Sequence, residues 1–137
     1  MNKPEQLFYQ SLKRATPDWF WQRLEDSITS GIPDCLCVPS GDKQRAVMIE
    51  LKALPRTNVQ IRKSQVAWIT RYAAKGGDVW VINKCTKSGI IQCWKAPFPV
   101  VVGRVGHGKI VCDPTLIVSD LSKLQGHHLT NPVRIAV

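Results

Sequence analysis

The sequence predicts an α/β fold, a mixed β-sheet core with a helix on each side and a C-terminal extra. Three observations predict it. Two segments, 4–15 and 60–75, carry apolar residues at helical spacing. Between and after them lie short runs rich in β-branched, aromatic and cysteine residues, 34–38, 46–52, 78–83 and 89–94. Gly, Pro, Ser and Asn punctuate the joins. With 137 residues, 44% of them hydrophobic, the chain suits one domain with a real core.

Taken in order, residues 4–15 start with Pro4, which suits a first helical turn. Glu5, Phe8, Leu12 and Ala15 fall on one face. Residues 18–25 read as an aromatic-rich strand and Ser30–Pro33 as a loop. Residues 34–38 and 45–52, joined by a polar turn at Ser40–Lys43, read as a hairpin. A loop over 53–59 leads to the helix 60–75, where Ile61, Gln65, Trp68 and Tyr72 share a face and Gly76-Gly77 stops the helix. Two further strands, 78–83 and 89–94, are joined around Thr86-Lys87-Ser88. Beyond Lys95 the pattern weakens into a Gly-rich hairpin (100–102 and 109–112) and a short helix opened by Asp113-Pro114, bearing Leu116, Leu121 and Leu124. The expected division is a core over about 1–95 and an extension over about 96–137, within a single domain 1–137.

Charge narrows the partners. Nineteen Lys and Arg against ten Asp and Glu leave a formal charge of +9, the balance of a protein that meets a polyanion. Nucleic acid is favoured over an anionic membrane, because the sequence has no basic amphipathic helix. It also has no apolar run long enough to span a bilayer, and its first residues lack the apolar centre of a signal peptide. The expected location is therefore cytoplasmic, away from membranes. Five cysteines, an odd number without a CxxC pair, argue for small buried thiols and against a disulfide framework. His107, Cys112, His127 and His128 have irregular spacing for zinc. There is no Walker loop, dinucleotide fingerprint or Ser-His-Asp order.

The chemistry concentrates in Gly31-Ile32-Pro33-Asp34 and Glu50-Leu51-Lys52. Side chains alternate along a strand, so Glu50 and Lys52 point to one face while Val47, Ile49 and Leu51 make the other face apolar. Asp34 opens the neighbouring strand and can sit across from that pair. Two converging carboxylates keep their charge only if a cation joins them. Hard oxygen ligands beside phosphate suit Mg²⁺ or Mn²⁺, which polarises a phosphodiester and stabilises the leaving oxygen. Lys52 would position water and offset phosphate charge. E-x-K alone is common and is often just an exposed ion pair. The upstream Pro-Asp at a strand start is what raises its meaning.

Gly-x-Pro-Asp followed by an apolar strand ending in Glu-x-Lys resembles the signature of the PD-(D/E)XK nuclease superfamily. The pattern is most similar to the VRR-NUC type and to related phage nucleases and Holliday junction resolvases. The resemblance covers roughly residues 1–94 through Gly31–Asp34, Glu50–Lys52, Gln65, Gly76-Gly77 and Val79–Ile82. It implies a restriction-endonuclease-like mixed sheet flanked by helices, and a metal-dependent endonuclease acting on DNA. It also implies roles: Asp34 and Glu50 as metal ligands, the Leu51 carbonyl in the metal shell, Lys52 as the catalytic lysine and Gln65 at or near the active site. Gln65, on an otherwise apolar helix face, needs a polar partner in any case. By the same resemblance Glu5 on the first helix joins the metal shell, with Glu25 and Asp26 as competing acids. Arg23-Leu24-Glu25 is similar to a segment that precedes Gly-x-Pro-Asp in related phage sequences.

Basic residues cluster between Gly41 and Lys75. Arg56, Arg62 and Lys63, just after Lys52, are placed to hold DNA phosphates, whereas Arg71 and Lys75 read as a solvated helix face. Trp19, Trp21 and Trp68 read as core. A homo-oligomer, as a dimer or larger, follows by analogy with nucleases that cut two strands. The competing function is a non-catalytic DNA-binding module that keeps the nuclease fold.

Overall fold

A computed structural model of the chain describes residues 1–24, 30–40, 45–103 and 106–126. Glu25, Asp26, the turn at Gly41–Lys43, His127 and His128 lie outside the described residues.

The first helix, α1 (Lys3–Ala15), starts because Asn2 and Glu5 satisfy each other's backbone. Asn2 Oδ1 accepts the Glu5 N–H at 2.9 Å, and Glu5 Oε1 accepts the Asn2 N–H at 3.1 Å. It ends at Thr16, whose hydroxyl donates to the Leu12 carbonyl at 2.6 Å and accepts the Trp21 indole N–H at 2.9 Å. Its inner face carries Phe8, Tyr9 and Leu12. Tyr9 meets Trp21 edge-on, and Trp21 stacks on Trp19, so the aromatic-rich strand builds the core as expected.

The strands β1 (Phe20–Arg23), β2 (Cys35–Val38), β3 (Val47–Leu54), β5 (Val79–Cys85), β6 (Ile91–Lys95) and β9 (Leu116–Val118) form one sheet in the order β1-β2-β3-β5-β6-β9. Only β3 and β5 run parallel; every other neighbour pair is antiparallel. A parallel neighbour requires a crossover, and this one is made by β4 (Gln60–Arg62) and α2 (Lys63–Ala74). Gly76, at φ +88°, closes α2. Asp78, nearly buried, anchors the return by binding Arg45 at 2.7 Å. A second sheet, β4-β8-β7, is completed by β7 (Val100–Val102) and β8 (His107–Ile110).

The two faces of the large sheet carry separate cores. Val47, Ile49, Leu51, Trp80, Ile82, Ile91 and Cys93 pack toward α1 and the 3₁₀ turn Leu121–Gly126. Val79, Val81 and Trp94 pack on the other face with Ile69 of α2, Ile61 of β4 and Ile110 of β8. Four of the five cysteines are buried and all are free, in line with their reading as core residues. Burial pushes the thiols of Cys35, Cys37 and Cys93 upward, so they stay neutral.

Three expectations need correction. The helix begins at Lys63, not at residue 60. Gln60–Arg62 is a strand because His107–Lys109, over forty residues downstream, supplies its partner, and Ile61 points into the core from β4 rather than from a helix face. Leu116 lies on β9, which covers the free edge of β6, and the helix expected after Pro114 shrinks to the 3₁₀ turn with Leu124 fully buried. The loop expected from Ala53 starts later, because Ala53 and Leu54 continue β3 opposite Lys84 and Cys85. Residues after 95 thus contribute strands to both sheets.

Candidate active site

Asp34 is held at the entrance to β2. Its carbonyl accepts the Leu24 N–H at 2.9 Å, and its carboxylate Oδ2 accepts the Leu51 N–H at 2.9 Å. The register Cys35 to Ile49, carried one residue further, sets Asp34 opposite Glu50. The preceding loop comes close to the start of α2. Gly31 sits at φ +89°, and a Cβ there would collide with the Ser64 carbonyl oxygen. Only glycine allows the loop and the first turn of α2 to touch.

That contact places Gln65 over β3. Its Nε2 donates to Glu50 Oε2 at 2.7 Å, while its Oε1 accepts from Lys52 Nζ at 3.3 Å and from the Arg62 N–H at 2.8 Å. Three donor–acceptor assignments agree on one orientation of the amide. Lys52 Nζ also lies 3.4 Å from Glu50 Oε2. The structure therefore brings Asp34, Glu50, Lys52 and Gln65 together around the middle of β3. Gln65 and Glu50 are 2% and 3% exposed, so this is a buried polar cluster and not a solvated strand face.

Glu50 is out of balance in this setting. Burial, then the neighbouring charge of Asp34, pushes its carboxyl up to about 8; Lys52 pulls the other way and does not offset them. Its second oxygen, Oε1, is buried without a hydrogen-bond partner. An orphaned carboxylate oxygen next to a second carboxylate is the donor set of a hard divalent cation, so the residues fit one. Among the described residues no group of three or more His, Cys, Asp or Glu side chains is arranged to hold a metal ion by itself. A cation here would complete its shell with backbone, water or phosphate oxygens, as Mg²⁺ commonly does. Glu5 is engaged in the α1 cap, yet its charge also raises the Glu50 carboxyl.

The fold is similar to that of a Holliday junction resolvase. The solved structure of Hjc from the archaeal hyperthermophile Archaeoglobus fulgidus matches 90% of this chain and 98% of its own, with a TM-score of 0.56 and 17% identity. No family model and no curated protein matches the sequence. The likeness establishes the resolvase-like, restriction-endonuclease-like α/β fold read from the sequence.

Around the resolvase-like core, Arg56, Arg62 and Lys63 are all exposed. Two residues passed over in the sequence hold the backbone at the first of them. Asn83, fully buried beside Lys52 in the β3–β5 register, donates to the Arg56 carbonyl at 3.2 Å and to Gln92 Oε1 at 3.0 Å, and accepts the Leu54 N–H at 3.3 Å. Gln92 donates in turn to the Thr57 carbonyl at 3.1 Å. These amides pin the loop that follows β3. Their signal was legible as a polar residue at the end of the run DVWVIN and one inside GIIQCW. The large apolar cavity, about 350 Å³ between α2 and residues 96–100, lies away from this cluster. His107 stands exposed on β8 and Cys112 is half-buried beside the α2-side core.

Proposed function

We propose that this chain is a divalent-metal-dependent nuclease of the PD-(D/E)XK superfamily that hydrolyses DNA phosphodiester bonds as an endonuclease. The observation that carries the proposal is the buried, unpartnered Oε1 of Glu50, set beside Asp34 and bridged through Gln65 to Lys52. A binding module has no need of a buried carboxyl, Glu50, that the neighbouring charge of Asp34 further destabilises. The resemblance to a junction resolvase fold favours branched DNA, cut in a structure-specific way, as the substrate.

Asp34 and Glu50 would hold Mg²⁺ or Mn²⁺, with the Leu51 carbonyl on the strand between them and Glu5 contributing negative charge. The cation supplies Lewis-acid polarisation of the phosphodiester. The Leu51 N–H fixes Oδ2 of Asp34, which leaves its other oxygen for the site. Gln65 keeps the Glu50 carboxylate and the Lys52 ammonium in one plane of contacts, so neither must reorganise during the reaction. Lys52 Nζ orients the attacking water and offsets the charge that grows on the phosphate oxygens. The water oxygen forms the new bond to phosphorus as the bond to the leaving sugar oxygen breaks; the water gives up a proton to solvent and the leaving oxygen takes one from it. Arg56, Arg62 and Lys63 hold flanking phosphates.

The test is cleavage of supercoiled plasmid, single-stranded DNA and a four-way junction with Mg²⁺, Mn²⁺ or chelator, alongside Lys52→Ala. Metal-dependent cutting that falls at least ~10²-fold in the variant, with the junction preferred, is expected. Salt-sensitive DNA binding without cutting by the wild type would instead identify a non-catalytic binding module.

A further inference from the structure

The basic surface does not stop at Arg62 and Lys63. In the β4–β8 register Arg62 faces His107 and Gln60 faces Lys109. Exposure alternates along both strands, so Gln60, Arg62, His107 and Lys109 point outward while Ile61 and Ile110 point inward. The inward packing is close. A Cβ at Gly108 would collide with Val100 and lie 2.9 Å from Val66 of α2. The outer face is thus the back of a sheet seated firmly on α2.

That sheet is tied to the site at two points. The Lys63 N–H donates to the Gly106 carbonyl at 2.9 Å, joining α2 to the turn before β8. The Arg62 N–H donates to Gln65 Oε1, and Gln65 donates to Glu50. The charge on the face is one-sided. Between Leu51 and Cys112 the only acidic residue is Asp78, which is nearly buried and bonded to Arg45. Among the described residues no ion pair engages Arg62 or Lys109.

We propose that the outer face of the β4–β8 pair is a backbone-binding surface for duplex nucleic acid, with Lys109 and His107 extending the phosphate track beyond Arg62. The substrate class rests on the nuclease reading; the surface itself rests on the register and the charge. His107 and Lys109, two apart on one strand, stand about 7 Å from each other. Their flexible side chains on a flat face suit phosphate oxygens rather than base edges, so the contact adds affinity without sequence preference. Because Arg62 belongs both to this face and to the frame of Gln65, a duplex arm lying on the sheet is led toward Glu50 and Lys52.

The experiment titrates labelled duplex and four-way-junction DNA, in chelator and at several salt concentrations, with wild type, Lys109→Gln, the His107→Gln/Lys109→Gln double variant and Lys75→Gln. Lys75 is exposed at the far end of α2, so its variant carries the same charge change as Lys109→Gln away from the face. Lys109→Gln is expected to weaken binding severalfold and to lower the slope of log affinity on log salt by about 0.9, one phosphate contact. The double variant is expected to go further, and Lys75→Gln to leave both quantities near wild type. Single-turnover cleavage at saturating DNA, measured separately with Mg²⁺, should stay at the wild-type rate in Lys75→Gln. If Lys109→Gln matches Lys75→Gln while the wild type binds and cuts DNA, the surface proposal is overturned and the nuclease reading survives. If the wild type binds, Lys109→Gln weakens that binding and nothing is cut, the surface stands and the catalytic reading falls. Absence of any DNA binding by the wild type overturns both.

Discussion

Glu50 carries the sharpest residue-scale consequence. Its carboxyl is raised from 4.5 to about 8, so the folded protein holds a proton that the unfolded chain releases across that interval. The unfolded state therefore binds fewer protons there, and stability must fall as pH rises from about 4.5 to about 8, by at most about 1.4 kcal/mol per pH unit for this one group. Denaturant melts in chelator at stepped pH should show that decline, and Glu50→Gln should flatten it. A divalent cation held by Asp34 and Glu50, as proposed, would compete with the same proton. Calorimetric titration with Mn²⁺ should show tighter binding as pH rises toward 8, with proton release detectable in buffers of different ionisation enthalpy. Affinity independent of pH would mean that Glu50 is not a ligand.

Elements bring the site together through two close-range devices. At Gly31 the positive φ and the lack of room under Ser64 hold the Asp34 loop against the start of α2. Gly31→Ala is expected to cost ~1–3 kcal/mol in denaturant unfolding. It should lower cleavage beyond what the stability loss explains, because Gln65 moves with the helix. At Asn83, three hydrogen bonds secure the end of β3 and the loop through Arg56. Asn83→Leu strands the Arg56 carbonyl, Oε1 of Gln92 and the Leu54 N–H, at about 1–3 kcal/mol for unsatisfied buried groups. Limited proteolysis should then cut within residues 55–59 before the rest of the fold opens. The hairpin β2–β3 was legible in the sequence because two short apolar runs follow each other across a short polar segment. The strands β4 and β9 were not, because three residues do not establish a period and their partners lie far along the chain.

For the molecule as a whole, a formal charge of +9 with nearly all acids outside residues 51–112 predicts strongly salt-dependent DNA binding. The four phosphate contacts proposed for Arg56, Arg62, Lys63 and Lys109 would give a slope of about −3.6 in log affinity against log salt, or about a 150-fold loss from 50 to 200 mM. A slope near zero would remove the electrostatic basis of the DNA reading. Among the described residues no helix is long and apolar enough to cross a membrane.

The sequence by itself determined the α/β class, the two helices, the face of β3 that bears Glu50 and Lys52, and the candidate set Asp34, Glu50, Lys52 and Gln65. The first three follow from local periodicity, and the candidate set from a short motif together with the family resemblance that it carries. Only the tertiary structure decided that Glu50 is buried with one oxygen unpartnered, that Gln65 links it to Lys52, that Asn83 and Gln92 pin the following loop, and that β8 lays His107 opposite Arg62 and Lys109 opposite Gln60. Those facts depend on which distant segments pair and on how much water they exclude. Side-chain period reports neither, because it records the direction a residue faces and not what arrives to cover it.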